Sequence, residues 1–133
     1  MKTIALIAHD ARKADMVSFV KEHDHIFKKM SLVATGTTGR RLQEAGFNVV
    51  CKLSGPLGGD AQIAAMAAEG KLQGIFFFRD PLGKHPHEPD VQMLLRICDV
   101  HNVPLATNRA TAIYLLIGID GEVENPAKNK ILK

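Results

Sequence analysis

Three stretches of this chain bring together residue types that move protons and hold anions. Ser54-Gly55-Pro56-Leu57-Gly58-Gly59-Asp60 is a glycine-rich turn closed by a carboxylate. Asp60 is either the cap of a following helix, where Asp is favoured, or a general base aimed into a site; its place in the sequence leaves both open. Arg79-Asp80-Pro81-Leu82-Gly83-Lys84-His85-Pro86-His87-Glu88-Pro89-Asp90 holds three acids, two histidines and three prolines behind an apolar run. Prolines stiffen a loop, which suits the fixed placement of reactive side chains. Glu88 or Asp90 would also serve as a plain helix cap. An acid/base pair fits this stretch better than a metal site at His85, His87 and Asp90, because no cysteine supports the His-x-His spacing.

The third stretch is Thr35-Gly36-Thr37-Thr38-Gly39. Glycine lets the backbone approach a ligand, hydroxyls donate hydrogen bonds, and a helix N-terminus favours an anion. One threonine would suffice for a cap; three threonines and two glycines in five residues predict a phosphate or carboxylate cradle. The Gly-Lys-Ser/Thr ending of the nucleotide phosphate loop is absent. Lys13 offers a matching cation, although taken alone it reads as a surface lysine. His23 and His25 lie in a charged helix end and read as surface. His101 reads as a cation at a helix C-terminus.

The elements that must position these residues alternate between strand and helix. Apolar runs at Ile4–Ala8, Leu32–Ala34, Asn48–Leu53, Gly74–Phe78 and Val103–Ala106 predict five buried strands. Helical spacing predicts helices over Lys13–Glu22, Arg40–Ala45, the segment around Ile63, Met66 and Ala67, the segment carrying Val91, Leu94, Leu95 and Cys98, and Thr111–Ile117. Residues after Gly118 carry little pattern. Five βα units imply a parallel sheet with helices on both faces and a ligand site beyond the carboxyl ends of the strands. Those ends carry His9-Asp10, the threonine turn, the Ser54–Asp60 turn, Arg79-Asp80-Pro81 and Thr107-Asn108.

Composition narrows the classes. At 133 residues and 46% apolar content, one domain spanning 1–133 with its own core is expected. The net charge of +3 comes from interspersed charges, and with no Trp and one Tyr a nucleic-acid surface is not expected. Cys51 and Cys98 read as small buried hydrophobes. No apolar run approaches the roughly 20 residues of a membrane span, and the start is too short and too quickly polar for a signal peptide. A cytoplasmic location is the expectation.

Taken together, the segments resemble the methylglyoxal synthase family. The matching pieces are Ala5–Asp10, Ala34–Gly39, Leu53–Asp60, Phe77–Leu82 with Pro86–Asp90, and Pro104–Asn108, in the family's order. The resemblance implies a flavodoxin-like three-layer α/β/α sandwich with a five-stranded, mostly parallel sheet. It implies a carbon-oxygen lyase that converts dihydroxyacetone phosphate to methylglyoxal and inorganic phosphate, without metal or organic cofactor, as a phosphate-inhibited homohexamer. Carried over by residue, Asp60 is the catalytic base and His87 the proton shuttle. Asp10, Asp80 and Asp90 are the other site acids, and His9 lies beside them. Lys13, Thr35, Gly36, Thr37, Thr38, Ser54 and Gly55 form the phosphate cradle. The family often carries an arginine near its carboxyl end that is thought to reach a neighbouring subunit; here no arginine follows Arg109, and a lysine of the tail is the replacement to consider. The alternatives are a sensor domain of the same fold without turnover, which would not need Asp60, His87, Asp90 and Asp10 together, and a purine-pathway cyclohydrolase, which is expected within a longer protein.

Overall fold

The computed structural model describes residues 2–124, and its centre is strand β1 (Thr3–Ala8), buried on both faces. β2 (Ser31–Ala34) and β4 (Gly74–Phe78) pair with β1 in parallel, placing Ile4 beside Leu32 on one side and beside Gly74 on the other. β3 (Val49–Cys51) and β5 (Leu105–Ala106) form the edges, so the order is β3-β2-β1-β4-β5 and every pairing is parallel. The architecture is the expected three-layer α/β class, with strand order 3-2-1-4-5 rather than the 2-1-3-4-5 of flavodoxin itself.

Alternation along the strands divides the core into two layers. Ile4, Leu6, Phe76 and Phe78 pack with Met16, Phe19 and Val20 of α1 (Lys13–Glu22), Leu42 of α3 (Gly36–Glu44), and Ala112 and Leu116 of α6 (Arg109–Glu124). The intervening Ala5, Ile7, Ile75 and Phe77 pack with Ile63 and Ala67 of α4 (Gly59–Ala68) and Val91 and Leu94 of α5 (Glu88–His101). Each of these large side chains contributes roughly 1.5–3 kcal/mol by leaving water. Chain direction then places the site. β1 continues toward β2 on one side while β3 crosses back to β4 on the other, so a crevice opens at the carboxyl ends of β1 and β4.

Four departures from the sequence expectation are informative. A short helix α2 (Asp24–Phe27) buries Ile26 and Phe27 ahead of β2, in a stretch too short to show helical periodicity. α3 starts at Gly36, not Arg40, so the threonine stretch is the helix's first turn rather than a loop before it. Glycine disfavours helix, but a Cβ at Gly39 would sit 2.5 Å from Cys51 Sγ, and contact with β3 outweighs the propensity. α6 continues past Ile117 to Glu124, burying Ile119 and Glu122; Gly118 and Gly121 mask the spacing of Ala112, Leu116 and Ile119. β3 and β5 are shorter than their apolar runs, as edge strands often are. Cys98 is buried as expected, whereas Cys51 is only half-buried. No helix of the described residues is long and apolar enough to cross a membrane.

Candidate active site

Loops from β1, β2, β3 and β4 enclose a cavity of about 400 Å³ at the crevice. Its lining includes His9, Asp10, Lys13, Thr35, Thr37, Ser54, Gly55, Asp60, Asp80, Lys84, His85 and His87. A larger cavity, about 730 Å³, lies at the amino ends of β4 and β5 beside α6, but its lining is mostly apolar and its acid, Glu122, is engaged by Gln73. Chemistry rather than size therefore selects the smaller one.

Asp60 stands in the first turn of α4, after the cap position at Gly58, and makes no capping bond. The plain cap reading of Asp60 therefore fails. Its side chain is fully buried, and neither carboxylate oxygen has a hydrogen-bond partner among the described residues. Burial raises its carboxyl above the ordinary range; His87 opposes that shift, and Asp90 adds to it. His87 Nε2 lies 3.4 Å from Asp60 Oδ2, within reach of a proton transfer once substrate draws the groups together. His87 occupies the cap position of α5, so neither Glu88 nor Asp90 is that cap. A Cβ at Gly55 would stand 3.0 Å from His87 Nε2 and 3.4 Å from Asp60 Oδ1, so the absence of a side chain there makes room for both.

His9 closes the β1 side. The Asp80 N–H donates to its Nδ1 at 2.9 Å, which leaves the ring proton on Nε2, and Nε2 is buried without a partner among the described residues. Its pKa falls to about 4, first through burial and then through His85 and His87, so it is a neutral donor at neutral pH. His85 stacks on it with centroids 3.7 Å apart. Among the described residues no three His, Cys, Asp or Glu side chains are arranged to hold a metal ion.

The anion-holding half lies across β1. Thr35 caps α3 by position, and the Thr37 hydroxyl accepts from Arg40 Nη2 at 3.2 Å, leaving its own proton to donate. Lys13 is mostly buried, not a surface lysine, and is ion-paired with Asp10. That lysine holds the Asp10 carboxyl below its ordinary range, and Asp10 is almost fully exposed. Three expected residues stand apart from the lining. Gly36 packs against Ser54, where a Cβ would meet the Ser54 nitrogen at 3.0 Å. Thr38 is fully buried, and its hydroxyl has no partner among the described residues. Asp90 acts on Asp60 through its charge from the first turn of α5. Lys84 and His85 line the cavity without having been assigned there; a surface-type lysine in a proline-rich loop gives no periodic signal. The lysines after Glu124 lie outside the described residues.

Comparison with known proteins gives one answer. The family model described as an MGS-like domain matches residues 15–107, which include Asp60 and His87 but begin after His9, Asp10 and Lys13. The chain is 57% identical over 121 residues to a methylglyoxal synthase of Borrelia garinii, covering 90% of this chain and 96% of that one. It is 58% identical over 118 residues to a methylglyoxal synthase of Thermoanaerobacter sp., covering 88% and 89%. The crystal structure of methylglyoxal synthase from Elizabethkingia anophelis superposes with a TM-score of 0.82 at 45% identity, over 86% of this chain and 76% of that one. With this identity spread across nearly the whole length, the chain belongs to the methylglyoxal synthase family.

Proposed function

We propose that the chain is a carbon-oxygen lyase that converts dihydroxyacetone phosphate to methylglyoxal and inorganic phosphate. The observation that carries this reading over a sensor without turnover is the Asp60–His87 pair. A fully buried carboxylate with no hydrogen-bond partner among the described residues is costly to a fold, and a module that only bound a phosphorylated effector would not need one. Asp60 takes the proton from the carbon beside the ketone, its basicity raised by burial. His87 donates to a substrate oxygen as the enediolate forms and relays the proton, and the neutral Nε2–H of His9 is a second donor where charge develops. Asp10, Asp80 and Asp90 set the electrostatics around the pair. The phosphate then leaves from the carbon next to the enediolate. Elimination needs the breaking C–O bond roughly perpendicular to the enediolate plane. Thr35, Thr37, Ser54, Gly55 and Lys13, which line the cavity, are assigned the task of holding that torsion, while Gly36 and Thr38 support the turn from behind.

Inorganic phosphate, as product and as a copy of the held group, inhibits by competition. In the homohexamer we propose, the competition is cooperative if phosphate favours one conformation of all subunits. The enzyme works as one domain, without cofactor, in the cytoplasm. The test is to incubate the purified protein with dihydroxyacetone phosphate and measure methylglyoxal and phosphate in equal amounts; binding without product would favour the sensor.

A further inference from the structure

We infer that Lys84 is a second cation of this site, holding the phosphate group of the substrate from the β4 side of the cavity, across β1 from the threonine turn. The inference rests on the reading above that the substrate is phosphorylated. Two lysines of the lining, Lys13 and Lys84, share the cavity with three carboxylates, Asp10, Asp60 and Asp80. Lys13 is already ion-paired with Asp10, and His9 is a neutral donor. A phosphate dianion entering such a lining meets net repulsion unless another positive charge faces it. On the other side Arg40 is engaged with the Thr37 hydroxyl, so on the β4 side Lys84 is that charge: it makes no hydrogen bond or ion pair with any described residue.

Its attachment point is fixed although its side chain is exposed. The Asp80 N–H is bound to His9, and the Leu82 N–H donates to Asp80 Oδ1 at 3.2 Å. A Cβ at Gly83 would fall 2.5 Å from Asp80 Oδ2, so a larger residue there would press on the Asp80 carboxylate that the Leu82 N–H holds. On the other side His85 stacks on His9, with its Nε2 3.3 Å from the Asp80 carbonyl oxygen. Lys84 thus leaves the backbone between two pinned neighbours, and only its flexible stem must order when the anion binds.

The experiment compares Lys84→Met, Lys84→Arg and, as a control, Lys71→Met, whose lysine pairs with Glu69 away from the cavity. Calorimetric titration with inorganic phosphate at low ionic strength gives Kd, and steady-state rates with dihydroxyacetone phosphate give KM and kcat. Lys84→Met is expected to weaken phosphate binding and raise KM together, by roughly threefold to fivefold, with a much smaller change in kcat. Lys84→Arg should restore most of the loss, and Lys71→Met should match the wild type. Phosphate affinity and KM of Lys84→Met within about twofold of wild type, or an equal loss in Lys71→Met, would overturn the inference. Lys84-dependent phosphate binding by a protein that makes no methylglyoxal would leave the inference standing and sink the enzymatic reading. Turnover with Lys84-independent binding would do the reverse.

Discussion

Replacing Asp60 by asparagine keeps the side chain's shape and removes a charge from a fully buried position. Two opposite effects follow. Turnover should fall at least about 10²-fold, since an amide cannot accept the carbon-bound proton, while phosphate affinity changes far less because the threonine turn is intact. Stability should rise. The wild-type carboxylate is buried without a hydrogen bond to any described residue, and burial is the first cause of its raised pKa. A folded-state pKa above the unfolded value means that ionised Asp60 costs the fold free energy at any pH above the folded value, and nothing below the unfolded value near 3.8. The variant's advantage should therefore be largest at neutral and alkaline pH and fade as pH drops toward 4. Losing a buried charge that only His87 offsets but keeping an imperfectly bonded amide is worth about 1–2 kcal/mol, or about 3–8 °C in Tm for a chain of this size. The assay is calorimetric melting of both proteins at several pH values beside initial rates. A variant that melts lower at pH 8, or that keeps more than about a tenth of wild-type turnover, would refute the assignment of Asp60 as a desolvated base.

His87→Gln keeps a donor but cannot relay a proton, so it should bind substrate analogues and turn over poorly; analogue binding lost in step with activity would instead mark a structural histidine. Thr37→Val should weaken phosphate inhibition about tenfold by removing a hydroxyl donor. Rates indifferent to millimolar phosphate in the wild type would sink the cradle, and hyperbolic substrate curves at every phosphate level would sink only the cooperative part. His9 titrates near 4 when folded and near 6.5 when unfolded, so the unfolded chain binds the extra proton between these values. Stability present above pH 6.5 should be lost as pH falls toward 4, by about 2–3 kcal/mol, and His9→Gln should flatten that part of the acid limb in urea-denaturation profiles.

The sequence determined the layered α/β class and the chemistry of the strand ends. Buried parallel strands read as continuous apolar runs such as Ile4–Ala8 and Gly74–Phe78, and polar turns at their carboxyl ends stand out against them. The types and spacing in Ser54–Asp60, Thr35–Gly39 and Arg79–Asp90 were likewise legible, because proton transfer and anion binding need few residue types and short separations. Tertiary structure decided what local pattern cannot encode. It made Gly36–Gly39 the first turn of a helix, since Gly39 must lie against Cys51. It chose between cap and buried carboxylate for Asp60, a choice that depends on burial and on His87 and Asp90 of the distant α5 segment rather than on the residue's place in the sequence. It tied His9 to Asp80 and stacked it on His85, across a gap of about 70 residues that closes only because β1 and β4 are adjacent in the sheet. Burial and proximity are properties of strands brought side by side, and a one-dimensional pattern reports them only where it also sets the strand order.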